Sequence, residues 1–277
     1  MIFPVASFDQ TNCGQCLLCL GRAGVSWLAR VGLGLGVAWL GLFAAHAAET
    51  ASTNVAPNAT DASAAEAPAS TPRRIGPDRF EIGRVTLDRA KQSLSFPAAV
   101  NQRAGLIEYM VVTVGGKIHE SVFRTDAAPR DIHLGALLLG LQPANTNAFP
   151  EEATATLPGE LVEIDVTWQV RGREVRRRLD EFVRTTDPAR PFRRGPWIYN
   201  GSFLADGAFV AQYGGSIVAI QTDPSALINN PRPDRTDDDI HVVEPKRLPQ
   251  EGTRVTIVIR PARKAAPARS PAAAKAG

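Results

Sequence analysis

The sequence predicts a β-rich α+β fold: antiparallel, sandwich-like sheets with one buried helix, flanked by disordered termini. Three observations lead there. The segment "LVEIDVTWQV" alternates strictly, with Val162, Ile164, Val166, Trp168 and Val170 on one face and Glu163, Asp165, Thr167 and Gln169 on the other. A period of two marks a half-buried strand of an antiparallel sheet. Short apolar runs of the same kind recur between Gly, Pro and Asn turn residues, and only one segment has the length and caps of a helix.

In chain order, strands are expected at "RVTL", "SLSFPAAV", "LIEYMVVTV" and "KIHESVF", then at "LVEIDVTWQV". Arg171-Gly172 turns that strand into "REVRRRL", where Val175 and Leu179 keep the pattern. Arg176, Arg177 and Arg178 there could form an anion site, but a neutral core favours solvated rungs. Further strands follow at "PWIYNGSFL", "AFVAQY", "SIVAIQT" and "TRVTIVIRP". Asn200-Gly201 and Gly214-Gly215 are hairpin-type dipeptides, and Trp197, Tyr199 and Tyr213 supply aromatic surface for a core or a groove.

The helix is "APRDIHLGALLLGL". Pro129 suits its first turn and Gly140 a left-handed cap near its end. Its leucines go nearly all the way round, which predicts burial against a sheet. Asp126 and Asp131 read as helix N-terminal residues. His133 reads as a hydrogen-bonded core or boundary residue, with a ligand role as the alternative.

The termini read differently. After Arg22 and Arg30 comes "VGLGLGVAWLGLFAAHA", ending in Ala45-His46-Ala47. Positive charge, apolar core and a small-x-small site predict a secretory signal over residues 1–47, cleaved after Ala47. A retained anchor is the alternative, but fifteen apolar residues from Val31 to Ala45 fall short of the roughly 20 that span a bilayer. Residues 48–73 are rich in Ala, Ser, Thr and Pro and read as a disordered linker. Residues 74–262 read as one globular domain and residues 263–277 as a disordered basic tail. The expected location is periplasmic or secreted, with no transmembrane helix left after cleavage.

Cys13, Cys16 and Cys19 stand at C-x-x-C-x-x-C spacing and are all the cysteines of the chain. A ferredoxin-type cluster needs a fourth, and a zinc site would lack ligands nearby. They also precede the expected cleavage site, so no iron–sulfur cluster is expected. Between Arg74 and Ala262, 24 Lys+Arg balance 24 Asp+Glu. The charge of +3 comes from the ends, so the footprint for a phosphate backbone is missing and nucleic acid is not an expected partner.

Gly115-Gly116 between two β-runs predicts a two-residue hairpin. Val114 would then face Lys117, Val112 face His119, Met110 face Ser121 and Glu108 face Phe123. His119 and Ser121 would lie on one face about 6–7 Å apart, too far for a nucleophile and its base. Glu120 would join Tyr109, Val111 and Val122, either as a perturbed carboxylate or on the solvent side of an edge hairpin. Asp237, Asp238, Asp239 and His241 are candidate metal ligands, calcium being the obvious ion for clustered carboxylates. The EF-hand spacing is missing, so an exposed acidic loop paired with Arg232 and Arg235 is the competing reading.

Four blocks, "GKIHESVFRTDAAPRDIHLGALLLGLQP", "GPWIYNGSFL", "DPSALINNPRPDRTDDD" and "LPQEGTRVTIVIRP", together resemble the YdjY-domain family of bacterial exported proteins. The resemblance runs from about Ile75 to Pro261. It implies one exported domain without an established activity, and it singles out Lys117, His119, Glu120 and Ser121, with Asp126, Gly201 and Ser202, and Asp237 to Asp239. The function expected is a non-catalytic binding or accessory domain serving an unidentified periplasmic or membrane partner. The alternative is a metal-dependent or acid–base hydrolase using His119 and Glu120, with His241 as a further ligand. The cofactor and the ligand stay open.

Overall fold

The computed structural model describes residues 70–144 and 146–262; the expected signal segment, most of the linker, the tail and the three cysteines lie outside them. The first strands are β1 (Arg73–Arg74), β2 (Arg79–Ile82), β3 (Val85–Asp88), β4 (Ser93–Val100), β5 (Tyr109–Thr113) and β6 (Ser121–Thr125). After helix α1 (Pro129–Leu138) come β7 (Glu160–Val170), β8 (Arg173–Arg178), β9 (Val183–Thr185), β10 (Trp197–Tyr199), β11 (Leu204–Ala205) and β12 (Ala208–Phe209). Helix α2 (Val210–Gly214) precedes β13 (Ser216–Ala219), β14 (Ile228–Asn229), β15 (His241–Val243) and β16 (Arg254–Pro261).

Three alternating strands set the frame. Leu94, Phe96 and Val100 of β4, Val162, Ile164 and Val166 of β7, and Val255, Ile257 and Ile259 of β16 all point inward and are buried. Their register stacks like on like: Ile257 lies between Phe96 and Val166, and Ile259 between Leu94 and Ile164. Each such side chain contributes roughly 2 kcal/mol by leaving water, so the three rows carry much of the fold. Phe123, Phe182 and Trp168 extend this core, with Phe123 and Phe182 edge to face at 5.4 Å.

Strands β4, β16, β7, β10, β14, β13, β5 and β6 each bond to the next, and β6 returns to β4 through Ala99↔Arg124 and Val100↔Phe123. Eight strands thus close into a barrel, which corrects the sandwich-like arrangement. Alternation reports that one face is buried; it does not report whether the sheet closes on itself. Pro97 sits at the closure, between Ser95, the last β4 residue paired with β3, and Ala99, the first paired with β6. A residue without an N–H is tolerated at such a seam. Strands β1 to β3 extend the sheet beyond β4, and β8 extends it beyond β7.

Two pairs in the barrel, β5–β6 and β13–β14, are parallel. The hairpin expected at Gly115-Gly116 is therefore corrected. The chain returns through a 3-10 turn, Ile118–Glu120, and Tyr109 lies beside Ser121, Val111 beside Phe123 and Thr113 beside Thr125. The two Gly-Gly dipeptides serve close approach instead. Gly214-Gly215 ends α2 with Gly215 left-handed (φ 69°), against the backbone of Gly116. Asn200-Gly201 is not a hairpin either, since β10 pairs with β7 and β14. The hairpin in this region lies at Asp206-Gly207, both at positive φ, between β11 and β12. Arg171-Gly172 (φ 50° and 76°) joins β7 to β8 as expected.

Helix α1 starts at Pro129 and ends before Gly140 (φ 92°). It covers β2, β3 and β4, and Gly135 lets it approach, since a Cβ there would lie 3.4 Å from Val85. Ile132 and Ala136 face the sheet, but Leu137 and Leu138 are exposed, so the all-round burial expected of its leucines is corrected. Arg176, Arg177 and Arg178 are partly solvated rungs of β8, as expected, and each also has a carboxylate partner. Arg176 bonds Asp165, Arg177 bonds Glu181 and Arg178 bonds the buried Asp180. Among the described residues no helix is long and apolar enough to cross a membrane.

Candidate functional site

The 3-10 turn places the first group of candidates at one rim of the barrel. His119 projects into solvent with its side chain 77% exposed, and its Nε2 lies 3.6 Å from Glu120 Oε2. Lys117 Nζ lies 4.0 Å from Glu120 Oε1. Ser121 begins β6, is fully buried, and donates to the Phe123 carbonyl at 3.0 Å. His119 and Ser121 therefore do not share an accessible face, and Glu120 faces Lys117 and His119 rather than an apolar surface. Burial, then the nearby Glu120 carboxylate, raises the carboxyl of Glu108 at the same rim. Asp126 follows the far end of β6 and is exposed beside another groove, with Arg84 and Arg254.

A hydrogen-bond chain leads from this rim into the loop between β13 and β14. Lys117 Nζ donates to the Tyr109 hydroxyl at 2.7 Å, which donates to Asp223 Oδ2 at 3.1 Å. Burial raises the Tyr109 phenol, and the bond to Tyr109 raises Lys117, so both keep their protons near neutrality. Asp223 Oδ1 accepts from Ser225 N at 2.8 Å, and the Ser225 carbonyl accepts from Ser202 Oγ at 2.7 Å. Asn229, fully buried, accepts from Asp223 N at 2.8 Å and donates to Asn200 Oδ1 at 2.9 Å. Lys117 and Ser202 are thus joined through Tyr109, Asp223 and Ser225.

Ser202 and Gly201 open onto a cleft of about 400 Å³ between α1 and the 201–209 segment. Pro143, Ala144, Phe203, Leu204 and Phe209 make most of its wall, and Arg130 and His133 contribute from α1. Gly201 has φ 84°, and a Cβ there would stand 2.5 Å from Pro143 and 3.2 Å from His133 Cε1. Only glycine fits this position. His133 packs against Phe209, ring centroids 5.0 Å apart, and its Nδ1 lies 2.8 Å from the Tyr199 hydroxyl. Burial lowers the imidazole to about 4, so it is neutral at ordinary pH. Burial likewise raises the Tyr199 phenol, which stays protonated.

The acidic loop is built otherwise than expected. Arg235 is fully buried and bonds the carbonyls of Pro150, Glu152 and Ala155, together with Thr222 Oγ1. Arg232 is stacked on Phe192 and Trp197, 4.6 and 5.0 Å from their centroids, and bonds Gly195 O at 2.8 Å. Neither pairs with Asp237, Asp238 or Asp239, which corrects the arginine-paired loop; Asp237 lies 3.8 Å from Arg190 instead. His241 is buried in β15, its Nε2 facing Asp234 Oδ2 at 3.4 Å without hydrogen-bond geometry. Among the described residues no group of three His, Cys, Asp or Glu is placed to hold a metal ion.

Sequence reasoning passed over Tyr109, Asp223, Ser225, Asn229 and Phe209 as site residues and took Tyr199 as aromatic surface. The Asp223-Pro224-Ser225 turn and the paired Asn229-Asn230 were the available signals, since polar residues in an apolar run are there for their hydrogen bonds. The family model of the YdjY domain matches the chain over residues 85–260. No curated protein and no solved structure matches the chain.

Proposed function

The chain belongs to the YdjY-domain family, and we propose that it is an exported, non-catalytic binding or accessory domain whose ligand enters the cleft between α1 and the 201–209 segment. The observation that carries this reading is the cleft itself: a largely apolar wall with the neutral imidazole of His133 among its few polar groups. Concave, mostly apolar sites with few polar groups are where small ligands bind. Export rests on the order of Arg22 and Arg30, the apolar run and Ala45-His46-Ala47. The unidentified partner is then a periplasmic or membrane component. Intact mass of protein recovered from the envelope tests export, the expected chain starting at Ala48.

The cleft is tested by titration with the uncharged fluorophore N-phenyl-1-naphthylamine. Saturable binding is expected, weakened about tenfold by Ala144→Trp, which fills the wall, with the thermal midpoint unchanged. No saturable signal, or equal binding by the variant, overturns the reading.

The second reading, an acid–base or metal-dependent hydrolase, is favoured by the 3.6 Å approach of His119 to Glu120. The exposure of His119 and the enclosure of Ser121 weigh against it. His119→Ala decides: loss of an ester- or phosphoester-cleaving activity, with the fold intact, would establish the hydrolase instead.

A further inference from the structure

The Tyr199–His133 pair fixes where the imidazole proton sits. Tyr199 is 2% exposed, and the acceptor its hydroxyl finds among the described residues is His133 Nδ1 at 2.8 Å. A buried O–H without an acceptor is costly, so the hydroxyl donates to Nδ1 and Nδ1 carries the lone pair. The single proton of the neutral ring is then on Nε2. Nε2 has no hydrogen-bond partner among the described residues. It is also not among the sealed, unpartnered atoms of the interior, which are Arg103 Nε, Arg235 Nε and His241 Nε2. Since His133 lines the cleft, this N–H is a donor presented to the cleft. Gly201 leaves that edge of the ring uncovered, because any side chain there would lie against Cε1.

We infer that the cleft selects a small ligand with an apolar body and a carbonyl or carboxylate oxygen, which accepts the hydrogen bond from His133 Nε2. The inference rests on the binding reading above and adds the chemistry of the ligand's head. Proline, alanine, phenylalanine and leucine walls offer the body nothing but surface, so a ligand is oriented there by its head and not by its body. An analogue without an acceptor leaves that N–H desolvated and unpaired, which is how a polar group in an apolar site discriminates.

The test uses phenylacetamide, phenylacetate and ethylbenzene, which share an aryl body and differ in the head. Binding is followed through the His133 ring nitrogens by NMR, which also reports the tautomer. The unliganded protein is expected to show Nε2–H, and an Nδ1–H form would overturn the inference. One of the two oxygen-bearing probes is expected to bind about tenfold more tightly than ethylbenzene, and which one it is separates carboxylate from carbonyl. In His133→Met the thioether is still a weak acceptor for the Tyr199 hydroxyl and carries no donor at all, so the preference should fall to near unity. Equal binding of all three probes by the native protein overturns the acceptor and leaves the cleft standing. Binding by none of them overturns the cleft and the inference together.

Discussion

Gly116 and Gly215 meet backbone to backbone: a Cβ on Gly215 would stand 2.9 Å from Gly116 Cα and would strike Thr113 Oγ1. The contact joins the return from β5 to the end of α2, and through it one wall of the barrel to the next. Gly215 is also left-handed at φ 69°, where an L side chain costs about 1–2 kcal/mol before any collision. Gly215→Ala should therefore destabilise by more than about 2 kcal/mol in urea unfolding. Gly115→Ala, whose Cβ would meet nothing within 4 Å, should change little. Equal losses from the two would mean that the dipeptides matter as flexible turns, not as a contact.

That pair also shows which parts of the fold could be read in advance. Strands β4, β7 and β16 are legible because each buries one face and alternates accordingly, and α1 is legible from Pro129 and Gly140. Closure of the barrel is not legible, because a residue's burial does not say which strand lies beside it. Gly-Gly has two physical uses, a left-handed turn and a close approach, and the sequence alone favours the commoner. The Asp206-Gly207 hairpin was readable by the same rule that misassigned Gly115-Gly116. The site is harder still. Tyr199 and His133 are 66 residues apart, and nothing local to either announces the other.

Asn229 holds the loop between β13 and β14 by accepting from Asp223 N and donating to Asn200 Oδ1 and the Asp223 carbonyl. Asn229→Ala leaves the buried Asn200 amide oxygen and two backbone groups of the half-buried Asp223 without this partner and should cost about 3 kcal/mol. Tyr109→Phe removes the hydroxyl between Lys117 and Asp223, yet Lys117 is half exposed and recovers water. Its cost should be smaller, about 1 kcal/mol. Denaturant midpoints at constant m-value measure both. The reverse order would show that the chain from Lys117, rather than the asparagine, organises this loop.

Arg232 tests whether a buried cation is kept for its shape. It lies against Phe192 and Trp197, bonds Gly195 O and Asn230 Oδ1, and stands 3.7 Å from Asp180. Burial lowers it to about 10, which still leaves it charged at neutral pH. A lysine there has neither the planar face for the two rings nor the fork for the oxygens. Arg232→Lys should cost about 2–4 kcal/mol despite conserving the charge. A loss under about 1 kcal/mol would show that the charge beside Asp180, not the stacked fork, is what this position supplies.

His133 makes a pH-dependent contribution whose sign is fixed by its environment. Burial lowers it from 6.5 to about 4, so between those values the unfolded chain takes up the proton that the folded chain refuses. Stability from this group is complete above pH 6.5 and is lost as the pH falls towards 4, by about 3 kcal/mol in all. His133→Asn has no group to titrate there, and its side-chain oxygen still meets the Tyr199 hydroxyl. Unfolding free energies of the two proteins, taken between pH 4 and 8, should differ by an amount that varies with pH below 6.5 and is constant above it. A constant difference across the whole range would mean that the imidazole is hydrated in the folded protein. The cleft behind Gly201 would then be wet, without the dry wall against which a single N–H donor selects its ligand.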